Sequence, residues 1–313
     1  MKILLVGALL LFIQMATAQN RFNNVYPIGD DPSIGYKTRM VSQEEKMIFE
    51  ANPILRMPFL NNIQPKLING DSTAHTLYLH FKPQIRMYNA NSKPVKTPSY
   101  NIGLAYQHLY RLSTKNKYKG KFLVYSFETG HYSNGQAKSA FSKHLDDGSE
   151  EAKAIYREIQ KTTDLSAILN RESGDFSTNF TELHVKYIQS VGELNDNNQP
   201  VSSFAFEFGY NLYHNNLLYL FDIGGYSEED IKIYGRHRFK IEAEYMRSFR
   251  EDTYIQEKFN LDRYTFTLRN QIIAKPHASV NPLRFETKAA VWFNNNVGLF
   301  VSWITGQIGR AHV

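Results

Sequence analysis

Residues 76–88 read TLYLHFKPQIRMY, and this stretch indicates how the chain folds. Apolar and polar side chains alternate along it, which is the pattern of a β-strand with one apolar and one polar face. The alternating apolar residues are Leu77, Leu79, Phe81, Ile85 and Met87. The stretch therefore predicts a long strand whose two faces meet different surroundings.

The same alternation recurs along the rest of the chain, in pieces separated by turn-rich stretches. Further strands are predicted at 102–112, 122–133, 179–189, 204–210, 217–222, 231–247, 264–274, 283–293 and 297–305, with one more near 54–60. Successive strands of this kind predict an all-β, antiparallel fold.

One face of many strands is charged, as at Lys240, Glu242 and Glu244. That face would meet solvent in a soluble β-sandwich, and it would line the interior of a barrel. The composition favours the barrel, because 14% of the residues are aromatic while the mean hydropathy is −0.44. A transmembrane β-barrel combines a lipid-facing surface, aromatic girdles and a polar interior. We therefore expect an antiparallel transmembrane β-barrel of about 12 strands, with a secreted β-sandwich as the alternative.

The amino terminus has the features of a signal peptide at residues 1–18. Met1 and Lys2 precede an apolar run over 3–15, and Ala16-Thr17-Ala18 matches a cleavage site. No later stretch approaches the roughly 18 uninterrupted apolar residues of a spanning helix. The chain has no cysteine. These features predict export to the outer membrane of a bacterium.

The remaining chain divides into three parts. Residues 19–72 show weaker periodicity and are interpreted as an amino-terminal arm with at most one strand, and residues 73–307 as the barrel. Residues 308–313 resemble a translated sequencing adapter, so we expect that the natural chain is truncated and that a closing strand is missing.

The charge distribution argues against a nucleic-acid partner. The net charge is +6, from 36 basic and 30 acidic residues, but no long basic run is present. A nucleic-acid-binding face requires clustered Lys and Arg. We therefore expect no nucleic-acid partner, and only a weak preference for anionic surfaces.

The connections differ in length, as in outer-membrane barrels, which have long extracellular loops and short periplasmic turns. Residues 113–120 are a short turn, whereas residues 134–178 are a long loop. An amphipathic stretch over 150–170 predicts a helix inside this loop, which we place outside the cell.

Three polar residues fall on the apolar faces of the two strands that flank this loop. In strand 122–133, the face that carries Tyr125 and Phe127 also carries His131 and Ser133. Asn179 lies on the apolar face of the next predicted strand, so an antiparallel hairpin would bring it beside His131. A serine, a histidine and a group that orients the histidine are what nucleophilic acyl transfer requires.

The stretch His131-Tyr132-Ser133-Asn134-Gly135 resembles the His-x-Ser-Asn-Gly motif of the outer-membrane phospholipase A family. The resemblance extends over roughly residues 76–189. It implies Ser133 as the nucleophile, His131 as the base, the Gly135 amide as an oxyanion donor and Asn179 as the orienting residue. The substrate would be the fatty-acyl ester of a glycerophospholipid.

The family also binds calcium near this motif and forms homodimers, so the resemblance implies a calcium cofactor and a homodimeric partner. The chain departs from the family pattern because residues 134–178 separate Ser133 from Asn179, where the family has a short loop. The calcium ligands are therefore hard to align. We take the backbone carbonyl of Gln136 and the carboxylate of Asp175 as candidates.

Each of these features also has a non-catalytic interpretation. Ser-Asn-Gly is common in tight turns, and the chain would then be a non-catalytic barrel, either a pore or an adhesin. His80, Glu128 and His184 are interpreted as interior residues rather than as ligands or acid catalysts. The acidic residues at 146–151 are interpreted as the solvated start of a helix.

Overall fold

The computed structural model describes residues 26–36, 47–89, 95–113, 120–194, 200–217, 220–221, 224–249, 254–259, 261–293 and 297–306. These residues form one 12-stranded sheet with antiparallel pairing. Strands make up 60% of the structure, which confirms the predicted all-β, antiparallel class. The predicted signal peptide at 1–18 and the adapter-like residues 308–313 lie outside the described residues.

The strands follow one another around the sheet almost in chain order. They are β1 (Ser33–Tyr36), β2 (Met47–Asn52), β3 (Leu55–Asn61), β4 (Thr73–Tyr88), β5 (Val95–Arg111), β6 (Lys121–Ser133), β7 (Ser177–Leu194), β8 (Pro200–His214), β9 (His237–Ser248), β10 (Leu261–Ala274), β11 (Leu283–Phe293) and β12 (Val297–Thr305). Each pairs with the next, except that β2 and β3 both pair with β4. The fold is therefore a meander of neighbouring hairpins.

In the part of the chain that the structure describes, five short helices lie in the connections between strands. They are α1 (Ile63–Asn69), α2 (Glu150–Glu158), α3 (Leu165–Ile168), α4 (Glu228–Tyr234) and α5 (Tyr254–Phe259). Among the described residues, no helix has the length and apolar character that a membrane crossing needs.

The sheet curves around a cavity of about 760 Å³, so that each strand has an inner and an outer face. In β6, Ser126 and Glu128 line the cavity, whereas Tyr125 and Phe127 are 44% and 46% exposed on the outer face. Exposed apolar residues occupy the outer faces of neighbouring strands as well. They include Ile102, Leu104, Leu183, Val185, Phe204, Phe206, Phe208, Ile241, Phe266 and Leu268.

The inner face carries a dense network of charges. Lys82 Nζ lies 3.0 Å from Glu128 Oε1, and His184 Nδ1 lies 2.8 Å from Glu207 Oε1. The His80 ring is buried and lies 3.2 Å from Glu128. Buried charges are tolerated when they are paired and hydrogen-bonded. The interpretation of His80, Glu128 and His184 as interior residues is confirmed.

A segment of the amino-terminal arm enters the cavity. Residues 26–31 contribute to its lining, and the Ile28 backbone exchanges hydrogen bonds of 3.1 and 2.6 Å with the Gln107 side chain. Asp30 Oδ1 lies 2.9 Å from Arg269 Nη2, and this guanidinium lowers the pKa of the Asp30 carboxyl. The arm also forms β1, β2 and β3: β3 confirms the strand predicted near 54–60, and β1 and β2 are two strands more than residues 19–72 were predicted to hold.

The sheet is not closed, because no backbone pairing joins β1 to β12 among the described residues. The two edges nevertheless approach each other. A Cβ placed on Gly35 of β1 would lie 3.3 Å from the Phe300 ring of β12. The fold is thus barrel-like, with side-chain contact between its edge strands.

The long loop between β6 and β7 is folded, and it packs on two other connections at the same end of the sheet. Its core includes Phe141 and Tyr156, which cluster with Tyr226 and Val280 from the loops after β8 and β10. Tyr156 donates a 3.1 Å hydrogen bond to Asp230 Oδ1 in α4. These loops form a cap with its own hydrophobic core.

The helix in this loop is shorter than predicted. The stretch 150–170 forms α2 and α3 rather than one helix, because the backbone of Ile159 is extended and the amide of Gln160 donates to the Thr163 hydroxyl. Threonine and aspartate in the intervening residues also have low helix propensity.

In the next connection one predicted strand was wrong, and another was predicted to start too early. Residues 217–222 form no strand among the described positions; Leu217 and Phe221 make only an isolated bridge. The predicted strand 231–247 begins with helix α4, and β9 starts at His237. The Ser227 hydroxyl accepts from the Asp230 amide, so a capped first turn overrides the alternation of Ile231 and Ile233.

Candidate active site

The predicted hairpin of two strands on either side of the long loop is present. β6 and β7 pair antiparallel, with His131 opposite Asn179 and Ser133 opposite Ser177. β7 begins at Ser177, two positions before the predicted start. The register therefore brings the three predicted residues to the same end of the same hairpin.

His131 and Asn179 are hydrogen-bonded. His131 Nδ1 lies 2.9 Å from Asn179 Oδ1, and the Asn179 side chain is 0% exposed. Asn179 Nδ2 donates a 2.6 Å hydrogen bond to the carbonyl oxygen of Asn215. An amide nitrogen can only donate, so Asn179 must present its oxygen to the imidazole. Nδ1 of His131 then carries the proton, and Nε2 is left with its lone pair as a base.

Ser133 lies on the same face of β6 as His131, two positions further along. This spacing places the two Cα atoms roughly 6.5–7 Å apart, so their side chains are neighbours. No described hydrogen bond joins the Ser133 hydroxyl to His131. Ser133 itself is partly exposed.

On the side of β5, the surroundings of this pair are apolar and exposed. The cross-strand partners of Ser133 and His131 on β5 are Tyr100 and Ile102, both exposed on the outer face. Phe127 lies further along the outer face of β6. The hydroxyl and the imidazole thus stand at the rim of an exposed apolar surface rather than in the cavity, whose lining includes neither residue.

Gly135 lies in a left-handed turn with open space beside its Cα. Its φ is +64°, and a Cβ built on it would meet no atom within 4 Å. No described group accepts a hydrogen bond from its amide. The preceding Asn134 fixes this turn, since its side chain donates to the Gly174 carbonyl and accepts from the amides of Gln136 and Phe176.

The two candidate calcium ligands lie on adjoining segments. Asn134 bridges residues 134–136 to residues 174–176, and the Asp175 amide donates to the Lys138 carbonyl at 2.6 Å. A carbonyl oxygen of Gln136 and a carboxylate of Asp175 are donors of the type that calcium prefers. Within the described ranges, no cluster of three or more His, Asp or Glu side chains is suited to hold a metal.

The structure adds residues that the sequence did not single out. Ser177 lies opposite Ser133, and its Oγ would be 3.1 Å from a Cβ placed on Gly224. The same Cβ would lie 2.6 Å from His131 Cε1. Ser177 could have been found by the two-residue period of β7, which puts it on the face of Asn179. Asn215 and Gly224 come from another loop, and no sequence signal connects them with the site.

Comparison of the chain with models of protein families and with curated protein sequences finds no match.

Proposed function

We propose that the chain is a calcium-dependent phospholipase of the bacterial outer membrane, which hydrolyses fatty-acyl esters of glycerophospholipids. The observation that carries the proposal is the 2.9 Å hydrogen bond between His131 Nδ1 and Asn179 Oδ1 on the outer face, with Ser133 beside them. A mere turn motif would not require an oriented imidazole next to a partly exposed serine.

Each of these residues has a defined role in the reaction. His131 Nε2 takes the proton of the Ser133 hydroxyl while Oγ attacks the ester carbonyl carbon, and the Gly135 amide donates to the resulting oxyanion. The intermediate collapses, and His131 gives the proton to the departing lysophospholipid alcohol. Water then attacks the acyl-enzyme in the same way, releasing the fatty acid and restoring Ser133.

The location in a membrane is supported by the outer face of the sheet. Exposed apolar side chains there include Phe204, Phe206 and Phe208 of β8. Such a surface suits lipid chains rather than water. A signal peptide at residues 1–18 fits export to that membrane. The site then lies at the rim of the apolar surface, where ester groups of lipids are found.

The alternative is a non-catalytic pore or adhesin. A pore requires an open aqueous path, whereas the cavity contains residues 26–31 and paired charges such as Lys82 with Glu128. An adhesin would not require a histidine whose ring is oriented by a hydrogen bond. The interior and the His131–Asn179 pair therefore favour the hydrolase.

Calcium and a second copy of the chain complete the proposal. Gln136 and Asp175 would hold the ion on the loop that follows Ser133, and a bound calcium ion supplies positive charge near the oxyanion. A homodimer is proposed because the motif resembles that of the outer-membrane phospholipase A family, which forms homodimers.

The proposal is tested by assaying the purified protein in detergent with phospholipid micelles and calcium. Release of fatty acid is expected from the wild type, and Ser133→Ala should lose about a thousandfold or more of kcat, as for other triad nucleophiles. Ion conductance without hydrolysis, or equal hydrolysis by Ser133→Ala, would favour the alternative.

A further inference from the structure

The loop between β8 and β9 contacts the His131–Asn179 pair at two of its residues, Asn215 and Gly224. At the first end, the Asn215 carbonyl oxygen accepts the 2.6 Å hydrogen bond from Asn179 Nδ2. This contact fixes which atom of the amide faces the imidazole. The loop therefore determines, through Asn179, which nitrogen of His131 carries the proton.

Near the middle of the loop, the backbone of Gly224 packs directly against the imidazole. A Cβ at this position would lie 2.6 Å from His131 Cε1, 3.4 Å from His131 Nε2 and 3.1 Å from Ser177 Oγ. The first distance is shorter than any stable carbon–carbon contact. A side chain at position 224 would thus displace the ring on the side of the atom that takes the serine proton.

The loop cannot easily retreat at Gly224, because the residues that follow it are fixed in the cap. Tyr226 is buried, and its hydroxyl lies 3.4 Å from the Asp230 carbonyl oxygen and 3.3 Å from that of Gly235. Its ring meets the Tyr213 ring edge-on at 5.4 Å. The hydrogen bond from Tyr156 to Asp230 joins this region to the long loop after β6. A clash at Gly224 would therefore move the imidazole rather than the loop.

We propose that the Asn215 carbonyl and Gly224 form a wall of the active site. This wall holds the His131 ring in position beside Ser133, and Gly224 is therefore a positioning residue. This inference rests on the proposed function, and it adds a second loop to the site. The wall limits the volume beside Nε2, so we expect the ester to reach the imidazole from the side of Ser133.

The test is a size series at this position in the full chain. Gly224→Ala should lower kcat by roughly tenfold or more, and Gly224→Val should lower it further, with KM changed less, because misplacing a catalytic group by about 1 Å can cost a hundredfold. Gly148→Ala is the matched control. Gly148 also has a positive φ of +77°, but a Cβ there would meet nothing within 4 Å, so wild-type kcat is expected.

A double-mutant cycle separates positioning from a general loss of structure. If Gly224 acts through the oriented ring, Gly224→Ala should cost much less in an Asn179→Ala background than in the wild type. Circular dichroism should show equal sheet content for all variants. Wild-type kcat in Gly224→Val, or equal losses in both backgrounds, would overturn the positioning role. A wild type that does not hydrolyse phospholipid would instead refute the proposed function.

Discussion

His131 Nδ1 lies 2.9 Å from Asn179 Oδ1, although 48 positions separate the two residues in the chain. The contact depends on the register of β6 and β7, which places the two residues directly opposite each other. The long loop between them folds into the cap and leaves this register undisturbed. An insertion can thus be accommodated next to a site when the strands that carry the site stay paired.

Asn179→Ala is expected to lower kcat by roughly a hundredfold. The imidazole loses the partner that fixes its tautomer, but the loss should stay below the ~10⁴-fold that removal of a triad aspartate causes, because a neutral amide stabilises the imidazolium less. Initial rates on micellar phospholipid measure the effect. Thr181→Ala changes the same face of β7 two positions away and should leave the rate near wild type. Equal rates in both variants would argue against an orienting role.

Ser177 gives a control for the identity of the nucleophile. Its Cβ should lie about 4.5–5.5 Å from that of Ser133, since the two residues are directly opposite. Ser177→Ala should reduce kcat by only a few-fold, because His131 and Ser133 remain in place, whereas Ser133→Ala should abolish measurable turnover. The reverse order in the same assay would assign the nucleophile to Ser177.

Chelation should remove activity reversibly. Excess EDTA is expected to suppress fatty-acid release, and added calcium should restore it. Asp175→Asn should raise the calcium concentration that gives half-maximal activity by about tenfold, because a carboxylate is replaced by a neutral oxygen donor. Glu151→Gln changes an exposed acid in helix α2 of the cap and should leave the half-maximal calcium concentration unaltered. Full activity in EDTA would show that hydrolysis does not depend on calcium.

Whether the outer face lies in lipid can be tested by introducing a charged side chain there. Phe206 is 58% exposed on β8, and Phe206→Lys should destabilise the protein in lipid bilayers by about 2–4 kcal/mol if the position lies near the bilayer midplane. Urea-induced unfolding in vesicles measures this. Ile168→Lys, in the short helix α3 of the cap, changes an exposed apolar residue that we place in water and should have little effect. Equal stability of the two variants would contradict membrane embedding.

The amino-terminal segment should be held in the cavity by Asp30. Arg269 lowers the pKa of this carboxyl, so its pairing stabilises the folded state above the ordinary value near 3.9 and is lost only as the pH falls through the lowered pKa. Asp30→Asn should therefore release residues 26–31 at neutral pH and speed their cleavage by an added protease several-fold. Asp71→Asn, in an exposed turn, should not. Unchanged protection in Asp30→Asn would show that the Ile28–Gln107 hydrogen bonds suffice.

Much of the fold could be predicted from local patterns. The alternation in residues 76–88 and its repeats gave the strands of the central sheet, since each strand has one face toward the cavity and one toward the outside. The errors fell where a local signal of another kind was stronger. At residues 228–234 an N-cap serine and three acidic residues start a helix, although Ile231 and Ile233 alternate as in a strand.

The contact between the catalytic side chains was predictable because those side chains lie on strands. Ser133, His131 and Asn179 could be related because the two-residue period fixes their faces and the hairpin fixes their register. Asn215 and Gly224 approach the site through the packing of the cap, which depends on contacts such as Tyr156 with Asp230. Contacts between loops leave no periodic pattern in the sequence. The proximity of these two residues to the site is therefore visible only in the folded structure.

The most direct test of the account is covalent labelling with a fluorophosphonate lipid analogue, followed by mass spectrometry of the peptides. We expect one phosphonate on Ser133, formed at least a hundredfold more slowly in His131→Ala because the hydroxyl then lacks its base. Labelling of another residue, or equal labelling of Ser133 in wild type and His131→Ala, would contradict the claim that these side chains form a hydrolytic site.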